Sequence, residues 1–321
     1  MRLALSTLLC AGVIVAASAH AQQYPARAVR VYIPFTAGSA ADIIARALEP
    51  QMREKLGQSL IIDNRGGAGG NIAAELTAKS PNDGYSIMMG TVGTHAINYS
   101  LYSKLPYHPQ RDFTPIALVG ESPNILVTNP IVPAKSIQEL IALGKARPGQ
   151  LNYGSSGSGT TVHLSAELFS VMTGIKMVHI PYKGASEALT ALLSGQTDLQ
   201  FASLSSALPL VKAGRLRAFA VTGEKRSPSI PEMPTMSEAA LPGYAASAWF
   251  GLLGPAGMPP AAVTALSNAA LAALQTQEVK DRLFASGVEL RPMPADEFTR
   301  LIDSEIKKWA HVVKASGAKV D

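Results

Sequence analysis

Short runs of β-branched and apolar residues alternate with helical stripes along nearly the whole chain, and no other feature limits the fold so strongly. A run at 29–33 leads through the loop Pro34-Phe-Thr-Ala-Gly-Ser39 into a stripe of Ile43, Ile44, Ala47, Leu48, Met52 and Leu56 that stops at Gly57. The period of this stripe predicts a helix, with Pro50 expected to interrupt it. Further strands are predicted at 60–63, 85–89, 116–119, 125–128, 151–153, 177–180, 197–201, 216–221 and 248–253. Helical segments are predicted at 72–78, 136–145, 161–172 and 187–193, with two long ones at 260–274 and 296–315. The segment at 136 opens on the capping box Ser136-Ile-Gln-Glu139. Strand, loop and helix repeated this often predict an α/β fold, with a parallel or mixed sheet covered by helices on both faces.

A chain of 321 residues exceeds one average domain and suits two lobes. The two richest Gly/Ser loops, at 35–39 and 154–160, fall in separate halves of the chain. Each leads into a helix, and a helix start offers unpaired backbone N–H groups to an anion. Two such loops facing a shared cleft at the carboxyl ends of strands would form a ligand site. Chain crossings near Pro123 and Ala245 divide the sequence into lobe 1 (22–123 plus 246–321) and lobe 2 (124–245), and predict hinge closure on the ligand.

The first 21 residues read as an address. Met1-Arg2 carries a positive charge, the next 17 residues are apolar or small, and Ala19-His20-Ala21 is an A-x-A cleavage site before Gln22. The apolar run is shorter than the ~20 residues of a membrane span. Cleavage after Ala21 removes Cys10, the one cysteine of the chain, and leaves 27 basic against 23 acidic side chains. A mature chain without cysteine has neither thiol chemistry nor disulfides.

Several chemistries find no support. The basic residues are scattered singly or in pairs, such as Lys225-Arg226 and Lys307-Lys308, so no stripe exists to track a phosphate backbone, and no nucleic-acid partner is expected. No P-loop, G-x-G-x-x-G, G-x-S-x-G or H-E-x-x-H pattern occurs, and the histidines are isolated, so neither a metal nor another cofactor is expected. His163, beside the second Gly/Ser loop, reads either as a general base or as a group that packs and hydrogen-bonds at a helix start. Asp42 reads as an acid serving the first helical turn and, without conflict between the two, as a side chain fixing its loop or an ordered water against a ligand. Arg65 is an anion-binding candidate or the partner of Asp63 in a surface ion pair.

A series of segments carries a resemblance. They are Val31-Tyr-Ile-Pro34-Phe35 with Ala37-Gly38-x-x-x-Asp42, Asp63-Asn-Arg-Gly-Gly-Ala-Gly-Gly-Asn71 and Pro81-Asn-Asp-Gly-Tyr85. Leu151-Asn-Tyr-Gly-Ser-Ser-Gly-Ser-Gly-Thr160, His179-Ile-Pro-Tyr-Lys-Gly184, Arg226-Ser-Pro228 and Ala315-Ser-Gly-Ala-Lys319 complete the set. In this order they span the chain beyond residue 21, which is similar to the Bug family of periplasmic solute-binding proteins, the substrate-binding components of tripartite tricarboxylate transporters. The resemblance implies a two-lobed Venus-flytrap protein with its ligand cleft between the lobes. It implies a monomeric, non-enzymatic receptor that captures a small organic carboxylate, a di- or tricarboxylate or related acid, and delivers it to an inner-membrane permease. One carboxylate would be gripped by Phe35, Thr36, Ala37, Gly38 and Ser39 with Asp42, helped by ordered waters. The distal part would be held by Ser155, Ser156, Gly157, Ser158, Gly159, Thr160 and Thr161, with Tyr182 and Ser203 nearby. Family members often carry Asp-Asn where this chain has Ala202-Ser203, a departure that weakens the case for an amino-acid ligand and leaves room for an amine-free organic acid. Two alternatives stand beside this reading: a periplasmic hydrolase using a serine of the 155–158 loop with His163, and a ligand sensor for a membrane kinase.

Overall fold

The computed structural model describes residues 24–182 and 184–320. The expected signal peptide and its cleavage site lie outside the described residues. The chain opens with β1 (Val29–Ile33), α1 (Ala40–Leu56), β2 (Leu60–Asn64), α2 (Asn71–Ala78) and β3 (Ser86–Thr91), then a π-helical turn at Gly93–Ile97 and the short α3 (Asn98–Leu101). It continues through β4 (Phe113–Thr128), α4 (Ile137–Ala146), β5 (Leu151–Ser155), α5 (Thr161–Thr173), β6 (Met177–Pro181), α6 (Ala185–Leu193), β7 (Leu199–Ser203), α7 (Leu204–Lys212) and β8 (Arg217–Val221). The remainder is α8 (Met236–Ala239), β9 (Ser247–Pro255), α9 (Pro260–Ala273), α10 (Gln277–Ala285), β10 (Glu289–Pro294) and α11 (Ala295–Ser316).

Two sets of strands share one member. β2, β1 and β3 are parallel, β9 runs antiparallel to β3, and β4 runs antiparallel to β9 and β10. In the second set β6, β5 and β7 are parallel, and β7 and β8 run antiparallel to β4. The change of partners falls within β4: residues up to Pro123 pair with β9, and residues from Asn124 pair with β7. Proline has no N–H to give a ladder, so it is tolerated where one partner ends and the next begins.

Two expectations are corrected. The strands expected at 116–119 and 125–128 are one 16-residue strand. Gly120 lies within it, where a Cβ would collide with the carbonyl of Glu289 on β10. Pro50 does not interrupt α1. Its missing N–H frees the carbonyl of Arg46, which the Arg282 guanidinium reaches at 3.4 Å.

Three apolar clusters hold the molecule. One joins Val29, Ile44, Leu48 and Met52 to Leu266 and Leu283 on α9 and α10. A second, around β8, contains Ile125, Val127, Leu192 and Val221. The third crosses between the two sets of strands, from Met88 and Ile97 to Leu164, Phe169 and Phe201. The stripe Phe298, Ile302, Trp309 and Val313 of α11 belongs to it.

Candidate functional site

Two helix starts are built on one local plan. In the first, Gly38 has φ +81°, Ser39 is the N-cap of α1 with extended backbone, and Asp42 is the third helical residue. In the second, Gly159 has φ +78°, Thr160 is the N-cap of α5 with the same backbone, and His163 is the third helical residue. Glycine suits both left-handed positions, and at Gly159 a Cβ would also meet Leu101 of α3. The N-cap hydroxyls accept the N–H groups of Asp42 (3.4 Å) and His163 (3.3 Å). The side chain of the third residue then reaches back to the glycine. Gly38 N–H donates to Asp42 Oδ2 at 2.9 Å, and Gly159 N–H donates to His163 Nδ1 at 3.0 Å. The N–H groups of Ala40, Ala41, Thr161 and Val162 are those a helix start leaves without an intrahelical partner.

All four of these residues line one cavity of about 580 Å³. Eight of the residues expected from sequence line it as well: Phe35, Ser39, Ser156, Ser158, Gly159, Thr160, Thr161 and Ser203. Thr36, Ala37, Gly38, Asp42, Ser155, Gly157 and Tyr182 are not among its lining residues, and Thr36, Ala37 and Gly38 are exposed. A further wall was not expected. Thr91, Val92, Gly93, Ile97, Asn98, Leu101 and Tyr102 supply it, with Ser122 and Asn124 of β4 and Ala248 and Phe250 of β9. Asn98 is held by its amide, whose Nδ2 donates to the Gly69 carbonyl (3.1 Å) and to Asn71 Oδ1 (2.6 Å). Tyr107 closes that network by donating to Asn71 Oδ1 at 2.9 Å. Among the described residues, no Asp, Glu, His, Lys or Arg lines the cavity. An anion here meets backbone N–H groups and hydroxyls, and the remaining surface is largely apolar.

The two loops are anchored differently. Asp42 Oδ1 and Oδ2 both lie 3.0 Å from Arg46 Nε, and Asn64 Nδ2 donates to Asp42 Oδ1 at 3.1 Å and to the Phe35 carbonyl at 3.0 Å. Burial alone would raise the Asp42 carboxyl, but the hydrogen bonds from Arg46, Gly38 and Asn64 and the Arg46 charge outweigh it and keep the group below its ordinary value. Asp42 thus stands in the first turn of α1 and also ties its loop through Gly38. Arg65 pairs with Asp63 at 2.8 Å, the ion-pair reading.

Under the second loop the rings of His163 and His179 stack at 4.0 Å, and Tyr153 stacks on His179 at 4.9 Å. Glu167 Oε1 lies 3.6 Å from His163 Nε2 and takes a short hydrogen bond from the Tyr153 hydroxyl. Burial pushes the Glu167 carboxyl up, and the hydrogen bonds from His163 and Tyr153 more than offset it, so it sits below its ordinary value. His179 is pushed down to about 4, by burial first and then by the neighbouring His163. Its Nε2 lies 2.6 Å from Ser155 Oγ, which also accepts the Gly157 N–H at 3.2 Å. This serine–histidine contact is no nucleophile site, because Ser155 is 0% exposed. His163 hydrogen-bonds at the helix start, the second of its two readings. Thr160 Oγ1 is also engaged, donating to the Gly157 carbonyl at 2.7 Å.

Residues 44–318 match the family model described as the tripartite tricarboxylate transporter family receptor. The chain belongs to this family. It is 36% identical to the protein BugT of Bordetella pertussis over 307 residues, covering 95% of this chain and 94% of BugT. A Rhodopseudomonas palustris protein solved with adipate has 38% identity and a TM-score of 0.77, covering 92% of this chain and all of the other. MatC from the same organism, solved with bound malate, has 34% identity and a TM-score of 0.74, covering 90% of this chain and all of MatC. The tripartite tricarboxylate transporter receptors are solute-binding proteins rather than enzymes, which excludes the hydrolase reading. As one of them, this chain has a two-lobed binding-protein fold and is a receptor for small carboxylates.

Proposed function

We propose that this receptor captures a dicarboxylate without an amino group in the periplasm and hands it, as a monomer, to an inner-membrane permease. One carboxylate sits on the N–H groups of Ala40 and Ala41, the other on those of Thr161 and Val162, with the hydroxyls of Ser156 and Ser158 around it. The observation that carries the reading is the pair of matched helix starts on one cavity whose described lining residues carry no charge. A bound ammonium group would want an anionic partner, and among the described residues no lining side chain supplies one. Adipate and malate, the acids named with two related structures, fit this class. Export follows from the signal-peptide pattern of residues 1–21, with Gln22 as the mature N-terminus. The lobes are 22–123 plus 246–321 and 124–245, a division supported by the change of partners in β4 between Pro123 and Asn124.

Proline at the first helical position tests the site without breaking the helix. Its fixed φ suits that position, where no intrahelical N–H is lost. The preceding Ser39 and Thr160 already have the extended backbone that a following proline requires. Ala40→Pro and Thr161→Pro should each weaken binding of adipate or malate by roughly ten- to a hundredfold or more, since a hydrogen bond to a charged group is worth about 1.5–3 kcal/mol. Melting temperatures should stay close to that of the parent. Calorimetric titration with adipate, malate and an amino acid reads the outcome. Tighter binding of the amino acid would overturn the reading. Scattering with saturating ligand should show a smaller radius of gyration, and an unchanged radius would count against closure of these lobes.

A further inference from the structure

We propose that His163, braced by His179, is the positioning residue of the second ligand loop, and that a proton on its Nδ1 releases that loop and weakens ligand capture. The inference rests on the carboxylate reading above and adds a regulatory property to the same site.

The argument begins with the direction of one hydrogen bond. Gly159 N–H donates to His163 Nδ1 at 3.0 Å, so this nitrogen must carry a lone pair and the ring proton sits on Nε2. Nε2 faces Glu167 Oε1 at 3.6 Å, the place for an N–H. A proton on Nδ1 would set one donor against another across this distance. The Gly159 N–H then loses its acceptor and the turn loses the tie that holds it to α5. The first loop has no such weakness, because Asp42 fills the same position with an acceptor that stays an acceptor.

The bracing comes from β5 and β6. His179 stacks face to face on His163 at 4.0 Å and reaches Ser155 Oγ through its Nε2, so the two imidazoles hold both ends of the turn. Ser155 can donate to a neutral His179 or accept from a charged one by turning its hydroxyl toward the Gly157 carbonyl, 3.2 Å away. His163 has no such freedom. Among the described residues, the ionisable groups facing the pair are Tyr153 from β5 and Glu167 from α5, bonded to each other. From α11, which packs on α5, Trp309, Val312 and Val313 join the shared core, and Glu305 and Lys308 are bonded to each other. Two stacked rings at this distance cannot both carry charge at low cost. The pair therefore works as a unit that is neutral when the loop is set.

Two substitutions separate the parts. His163→Asn keeps a side-chain oxygen for the Gly159 N–H and removes the titration. His163→Phe keeps a ring on His179 and removes the acceptor. Adipate is the probe, titrated calorimetrically between pH 7.5 and 5.5, and ratios between proteins cancel its own ionisation. The parent should weaken severalfold relative to His163→Asn as the pH falls from 7.5 to 5.5. His163→Asn should bind adipate at pH 7.5, and His163→Phe should bind it at least tenfold more weakly at every pH. Equal pH profiles for the parent and His163→Asn would overturn the proposal. A second reading uses no ligand: in the ¹⁵N-labelled free protein the Gly159 amide should titrate together with the His163 ring nitrogens. A Gly159 amide that ignores the ring overturns the positioning role whatever adipate does. An amide that follows the ring while neither adipate nor malate binds at any pH supports the positioning role and overturns the carboxylate reading instead.

Discussion

The helix starts at Ser39 and Thr160 are near copies in backbone and opposites in chemistry. Each has a left-handed glycine, a hydroxyl cap, two free N–H groups and a side chain reaching back to the glycine. At α1 the side chain is an ionised carboxylate in a net with Arg46 and Asn64. At α5 it is an imidazole stacked on another imidazole. The lesson is that the plan asks only for an acceptor at the third helical position. Charge type is free to differ, and with it the response to acid, salt and substitution.

The largest expected effect is at the charged anchor. Asp42→Ala leaves Gly38 N–H, Asn64 Nδ2 and the Arg46 guanidinium without their shared acceptor. It should cost about 2–3 kcal/mol of stability, moderated because Arg46 can turn to solvent, and more than a hundredfold in affinity. Denaturant unfolding and calorimetry check both. A variant that keeps its affinity would mean the first loop holds its shape without its anchor.

Acid should sharpen the contrast. His179 has a folded-state value of about 4 against an ordinary 6.5, so the unfolded chain binds the extra proton first. Its contribution to stability is complete above pH 6.5 and is lost as the pH falls toward 4. Asp42, held below its ordinary 3.8, loses its contribution only as the pH falls below that value. The half-buried His179 should account for about 1–2 kcal/mol between pH 6.5 and 4, after discounting for solvent screening. Buried His95, pushed down to about 3 by desolvation, adds a loss of the same sign in that window. Unfolding free energies measured across the window should therefore fall with acid. In His179→Asn the slope should be shallower but not zero. A slope identical to the parent would mean that the imidazole stack stores no proton-linked stability.

The smallest effects separate the two caps. Thr160 Oγ1 makes a 2.7 Å bond to the Gly157 carbonyl as well as its capping bond, whereas Ser39 Oγ makes one long bond to the Asp42 N–H. Thr160→Val should cost about 1 kcal/mol, and Ser39→Ala about half that or less. Thermal melts compare them, and titration of Thr160→Val shows whether its hydroxyl also touches the ligand. A tenfold loss of affinity at unchanged stability would make it a contact rather than a cap.

What could be read from the sequence follows from how local each feature is. The Gly-Ser and Gly-Thr helix starts are contiguous, so the loops, their helices and the two readings of Asp42 and His163 were visible before any coordinates. The stack of Tyr153, His163 and His179 was not, because its members come from β5, α5 and β6 and meet only when the sheet forms. The wall from Thr91 to Tyr102 was missed for another reason. Its π-helical turn has neither the strand nor the α-helical period, so pattern reading finds nothing there. Ser122, Asn124, Ala248 and Phe250 sit on strands whose cavity-facing side is set by the register of β4 against β9. The helix at 277–285 and the strand at 289–294 were also absent from the reading. β10 is only partly buried and carries two prolines, so it lacks the apolar run that marks a strand.

The last helix gives the shared core a direction in time. Trp309, Val312 and Val313 lie within the final 22-residue helix, yet they pack with residues contributed from the first third and the middle of the chain. A growing chain therefore holds an unfinished core until its C-terminal end is free to dock. Up to that moment the clusters around Leu48 and Val127 have all their buried members, and the core between the two sets of strands lacks the face that α11 covers. The helix that touches both the π-helical turn and α5 is thus the piece that joins the two sets of strands into one body.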